Sequence, residues 1–152
     1  MKPFLTGSPL KRMGDRAELR FMDQALAHGF EVLKPWGDNS PFDVAVIGPS
    51  GMRKVQVRSA ATLIHNRFRV QSAFGARKRP YTAAMIDALA AYVLPHDAWY
   101  IIPIGALQRS RNIYMRPHLP MPVRDGATNG SKLIHRPNLS WEYFREAWNW
   151  LR

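Results

Sequence analysis

The run FDVAVIGPSGMRKVQVRSA, residues 42–60, limits the fold more than any other stretch. Two segments rich in β-branched residues are separated only by Gly48-Pro49-Ser50-Gly51, which is tight-turn chemistry. Two strands joined so closely should pair as an antiparallel hairpin. In the second segment Val55 and Val57 alternate with Gln56 and Arg58. Side chains along a strand alternate between its faces, so the valines share one face and Gln56 and Arg58 the other. The valine face needs a covering layer. The polar face is either a solvated edge or half of a site.

The rest of the chain supplies the layers. Gly14 to His28 has helical periodicity, with Leu19, Met22 and Leu26 on one stripe widened by Phe21 and Ala25, and Gly29 as the stop. Residues 1–12 read as an irregular basic arm. EVLKP (31–35) reads as a strand, WGDNSP (36–41) as a turn, and FRVQSAF (68–74) as a fourth strand before the basic loop GARKRP (75–80). Thr82 to Val93 is expected to be a second helix, with Thr82 at its N-cap and Met85, Ile86, Leu89 and Val93 as its apolar stripe. AWYIIPI (98–104) is almost wholly apolar and reads as a strand buried on both faces. RNIYMRP (111–117) is a further strand, and 117–139 is a long loop rich in Pro, Gly and Asn. Ser140 caps a final helix in which Trp141, Phe144, Trp148 and Leu151 face one way as core. The expected class is α/β: a mixed central sheet flanked by helices, with a C-terminal helical extension. A length of 152 residues fits one domain, with a core over about 11–104 and the extension over about 105–152.

The charge narrows the class of partner. The net charge is +11, which favours a polyanion. No acid lies between Asp43 and Asp87, an interval that holds Arg53, Lys54, Arg58, Arg67, Arg69, Arg77, Lys78 and Arg79. A second acid-free interval, from Ala98 to Arg124, holds Arg109, Arg111, Arg116 and Arg124. Phosphate would offset the self-repulsion of such one-sided charge; a basic surface serving only solubility is the plainer reading. No apolar run approaches the length of a membrane span, and the first residues lack the apolar core of a signal peptide, so a cytoplasmic protein is expected. The absence of cysteine excludes disulfides and thiolate zinc sites. The five histidines form no i, i+4 pair around an acid, and there is no phosphate-binding P-loop and no G-x-S-x-G elbow.

Two acids stand out. Glu18 borders the apolar stripe of the first helix, where a carboxylate needs a partner or a metal; equally, Asp15-x-x-Glu18 reads as a capping box. Asp43 opens an apolar strand and alone reads as a strand-end turn residue. Hairpin pairing brings Asp43 beside Gln56, and with the right register both face the same way as Arg58. An acid, an amide oxygen and a cation would then converge, with Glu18 reaching them from the helix. Such oxygen ligands suit Mg²⁺.

The ordered set GDRAE (14–18), PWGDN (35–39), FD (42–43) and VQVR (55–58) resembles the PD-(D/E)xK nuclease superfamily. It is most similar to the branch with intron-encoded homing endonucleases and small prokaryotic relatives. The resemblance covers residues 11–104 and implies a restriction-endonuclease-like core. It implies metal-ligand roles for Asp43 and Gln56 with Glu18 nearby, Mg²⁺ or Mn²⁺ as cofactor, and DNA as partner. Arg58 departs from the pattern, which has lysine there. An arginine does not release its proton, so it can stabilise charge but not act as a base. Arg67, Arg69, Arg77, Lys78 and Arg79 are expected to track the nucleic-acid backbone. Cutting two strands calls for two sites, which is compatible with a homo-oligomer. The function expected is a metal-dependent DNA endonuclease; the alternative is a nucleic-acid-binding protein on the same fold with impaired catalysis.

Overall fold

The computed structural model describes residues 7–107, 110–121 and 140–152. A five-stranded mixed sheet lies at its centre, in the order β1 (Glu31–Leu33), β2 (Val44–Gly48), β3 (Gly51–Ala60), β8 (Ala88–Val93) and β9 (Ala98–Pro103). The β2–β3 hairpin forms as expected, closing at Gly48 opposite Gly51 and pairing Val44 with Val55. Strand β8 runs parallel to β3, while the other pairs are antiparallel.

Helix α1 (Pro9–Ala27) packs on one face of this sheet. It starts earlier than the sequence suggests: Ser8 caps it by accepting from the Lys11 amide, and Pro9 sits in its first turn. The expected capping box at Asp15 and Glu18 is therefore wrong, and residues 9–12 are helix, not an arm. The stripe is also rotated. Ala17, Phe21 and Ala25 are buried, while Leu19 and Leu26 are about 60% exposed (63% and 59%). Small alanines let the helix approach Val55 and Val57 closely, and Phe21 fills the space between.

The second expected helix is also corrected. Residues 82–86 form only a turn, with the Met85 and Ile86 amides donating to the Thr82 carbonyl, and residues 88–93 are strand β8. Asp87 sets this change. Its carboxylate accepts from the Lys54 amide at 2.7 Å, its own amide donates to the Lys54 carbonyl, and its carbonyl accepts from Ile104. The acid that ends the acid-free interval thus fastens β8 to β3. An Ala-rich strand buried on both faces has no period of two, so it mimics a helix in sequence.

The opposite face of the sheet is covered by a second, three-stranded sheet in the order β10 (Asn112–Met115), β5 (Arg67–Gln71), β4 (Leu63–Ile64). Phe68, Val70, Ile113 and Met115 point inward onto Leu89, Ala91, Tyr100 and Ile102. The short pair β6 (Ala73–Phe74) and β7 (Arg79–Pro80) follows, and the one-turn helix α2 (Ile104–Leu107) lies beyond β9.

The C-terminal segment is two 3₁₀ turns, Trp141–Phe144 and Trp148–Leu151, instead of one helix; Ser140 does cap the first. Between them Glu146 takes a positive φ of 52°, which breaks the helical path. Its aromatics are core as expected but do not face one way. Phe144 joins the face covered by the small sheet, while Trp148 and Leu151 join the α1 face. Trp148 stacks on Phe21 and His28. A buried network fixes this segment. Glu142 accepts from the Tyr100 hydroxyl at 2.8 Å and the Arg116 amide at 2.6 Å, and pairs with Arg145 at 3.4 Å. Arg145 in turn donates to the Pro117 and Leu119 carbonyls. Among the described residues no helix is long and apolar enough to cross a membrane. The expected long loop, 117–139, lies mostly outside the described residues.

Candidate functional site

The hairpin register decides the polar face. Val44 pairs with Val55, and the Asp43 amide continues the ladder by donating to the Val55 carbonyl at 3.0 Å. Asp43 is thus placed beside Gln56. The Gln56 amide nitrogen donates to Asp43 Oδ2, and the Val57 amide donates to the same oxygen at 2.9 Å. Both bonds go to Oδ2, which leaves Oδ1 as a ligand position. Gln56 is buried, as a side chain needed for structure or chemistry should be, not a solvated edge residue.

Arg58 lies two residues further along the same face. Its Nη2 donates to the Tyr81 hydroxyl at 2.8 Å, while its buried Nε finds no partner among the described residues. Tyr81 is itself buried, and burial pushes its phenol above the usual range. It directly follows β7, so its hydroxyl meets the guanidinium from the end of the β6–β7 hairpin.

Glu18 enters from α1, on the other side of the sheet, and is tied to the site by Lys34. The Lys34 ammonium contacts Glu18 Oε2 at 2.5 Å and the Asp43 backbone carbonyl at 3.1 Å. Burial raises the Asp43 carboxyl above its ordinary pKa. The Val57 bond opposes that shift, the Glu18 charge adds to it, and Arg58 and Lys34 oppose it. A half-buried carboxylate held above its usual range is one whose ionised form gains from added positive charge. Lys34 and Tyr81 were not singled out from sequence. Lys34 was within reach of hairpin arithmetic: Leu33 pairs with Ala45, so the next residue falls beside the start of β2. Tyr81 had no local signal.

The basic residues divide into two groups. Arg67 and Arg69 lie on β5, with the Arg67 guanidinium 4.0 Å from the Tyr114 ring centroid. Arg77 and Lys78 lie in the exposed turn between β6 and β7, and exposed Arg79 opens β7. The structure does not gather all five at one point.

A sequence model of a family described as PD-(D/E)XK endonuclease matches residues 9–123. The chain belongs to the PD-(D/E)XK endonuclease family. The match to this family spans α1, the hairpin and both sheets. A search of curated proteins finds no match. A solved bacterial homing endonuclease is similar in fold, with 24% identity, a TM-score of 0.68, and coverage of 93% of this chain and 92% of that one. The restriction-endonuclease-like core expected of a PD-(D/E)XK protein is therefore present.

The candidate site is chemically spare. Among the described residues no group of three or more His, Asp and Glu side chains converges as a metal cage. The set is two carboxylates and one amide oxygen. That set fits a hard divalent cation that completes its shell with water and phosphate oxygens, as Mg²⁺ does. The Gln56 amide would have to turn its oxygen, not its nitrogen, toward such an ion.

Proposed function

We propose that this chain is a metal-dependent endonuclease that hydrolyses phosphodiester bonds of DNA. The observation that carries this reading is the direct link between Asp43 and Gln56 across β2 and β3, with Arg58 next on the same face. Asp43 and Gln56, with Glu18 beside them, would hold Mg²⁺ or Mn²⁺. A bound divalent cation supplies Lewis-acid polarisation of the phosphodiester.

The chain's own residues do the rest. The Val57 amide fixes the rotamer of Asp43, so its free oxygen has one direction. Lys34 neutralises Glu18 and braces the backbone at Asp43. Arg58 donates to phosphate oxygens as negative charge builds in the transition state, and Tyr81 holds its fork in place. Arginine is not the proton acceptor, so the attacking water loses its proton to solvent or to a carboxylate. The exposed Arg77, Lys78 and Arg79 would bind the duplex backbone.

The impaired-binder alternative rests on Arg58 standing where the family pattern has lysine. One experiment separates the two: cleavage of supercoiled plasmid with Mg²⁺ or Mn²⁺ by wild type, Asp43→Ala and Arg58→Lys. Cleavage by wild type that is lost in Asp43→Ala supports the nuclease. Cleavage gained only with Arg58→Lys means a sound metal site with a disabled last member. Silence from all three, with DNA still bound, overturns the nuclease reading.

A further inference from the structure

The small sheet has two faces with opposite chemistry. Its inner face is the apolar set that covers the central sheet. Its outer face carries Arg67, Arg69 and Gln71 on β5, Asn112 and Tyr114 on β10, and Ile64 on β4. The register puts Asn112 opposite Gln71, Tyr114 opposite Arg69 and Ile64 opposite Arg67. Arg69 and Gln71 are exposed, as are the apolar Ile64 and the aromatic Tyr114 (45% and 37%). Gln71 donates a long bond to the Ala73 carbonyl at 3.4 Å and Arg67 stacks on Tyr114, but packing of the core does not require these outward side chains to be polar. A soluble surface would mix acids among them, yet the face has none, because both of its long strands lie in the acid-free intervals.

We infer that this outer face reads base edges in the major groove of duplex DNA, which extends the proposed nuclease reading to substrate selection. Phosphate attraction alone needs only cations, as on the β6–β7 tip. This face instead sets two guanidiniums, Arg67 and Arg69, next to a cross-strand pair of carboxamides, Gln71 and Asn112. Arginine can bond guanine through O6 and N7, and Asn or Gln can bond adenine through N6 and N7. Ile64 offers an apolar contact for a thymine methyl. The β5–β10 pair, which carries both carboxamides and both arginines, is a two-stranded ribbon of the kind that fits the ~12 Å width of that groove, with the two-residue β4 at its edge. Residues on one face of a strand recur every ~6.8 Å, about two base steps of ~3.4 Å. Arg67 is pre-oriented by its stack on Tyr114, which lowers the entropy lost when it docks. Chain order then leads from this face through the basic tip to Tyr81, which holds Arg58. Reader, backbone clamp and site are consecutive.

The test is binding selection from a randomised duplex library with full-length protein in EDTA, so cleavage plays no part. Wild type should select a motif. Arg69→Ala, Gln71→Ala and Asn112→Ala should each relax one position, shrinking the affinity ratio of selected to scrambled duplex about ten- to a hundred-fold there. Replacing Arg77, Lys78 and Arg79 together by Ala should instead lower the salt slope of binding by up to ~3. A role that is only structural would weaken both duplexes alike and leave the ratio intact. Unaltered thermal melting would show that each variant is folded. The inference is overturned if wild type selects no motif, or if the face variants select the wild-type motif. A motif selected by a protein that never cleaves would sink the catalytic reading and leave this one standing.

Discussion

Asp43 carries a conflict between stability and function. Its carboxyl is raised above 3.8, chiefly by burial, so the fold disfavours its ionised form. The folded protein then holds the proton more tightly than the unfolded chain, and stability falls as pH rises through the window above 3.8. Asp43→Asn keeps an acceptor for the Val57 amide and removes the charge. This variant should melt higher than wild type at neutral pH, and the difference should vanish below pH 3.8. Its cleavage should fall by about a hundred-fold or more, as for loss of a central electrostatic group. Divalent cation should raise the melting temperature of wild type only. Tyr81 predicts a different signature. Tyr81→Phe deletes the acceptor for Arg58 Nη2 and should lower cleavage about 10–100-fold, by analogy with loss of a supporting hydrogen bond in a metal site. Binding of uncleaved DNA should hardly change, because the exposed cations are intact. Asp43, Gln56 and Arg58 were legible in sequence because a two-residue period and a four-residue turn fix their side of the sheet. Lys34 follows from the pairing of β1 with β2, whereas Tyr81 depends on a tertiary contact that no short spacing encodes.

At the scale of elements, the β2–β3 hairpin is the part that cannot be altered cheaply. A Cβ at Gly48 would lie 2.9 Å from the Phe30 ring and 3.1 Å from the Leu151 carbonyl oxygen. Phe30 is buried, and the Leu151 oxygen belongs to the backbone. Gly48→Ala should therefore cost about 1–3 kcal/mol by overpacking, read as a lower denaturant midpoint with unchanged slope. Cleavage per folded molecule should survive if the register holds. Hairpin, buried β9 and outer β10 were readable because their apolar patterns match their burial. Strand β8 was not, since ALAAYV supports a helix on propensity and only the parallel partner β3 makes it a strand. The α1 stripe failed for a related reason. Leucine is the stronger hydrophobe, but the sheet has room for alanine, so packing distance won over hydrophobicity.

The whole molecule is held by a polar network as much as by its two apolar layers. Glu142→Ala would strand the Tyr100 hydroxyl and the Arg116 amide and remove the charge opposite Arg145. Breaking a buried pair of this kind costs about 3–5 kcal/mol, a large share of the stability of a domain this size. Equilibrium unfolding should show that loss, and the site geometry should loosen with it. Sequence spacing does not reveal the network because Tyr100 and Arg116 lie far from Glu142 along the chain. The C-terminal turns also place Phe144 on one side of the central sheet and Trp148 and Leu151 on the other. One short segment therefore closes both cores. During synthesis it leaves the ribosome well after the sheet it seals. Until then the nascent chain shows apolar surface on both sides of its strands, a state that needs chaperone cover or rapid completion. A cell making this protein would thus hold an incompletely closed fold until those turns have docked.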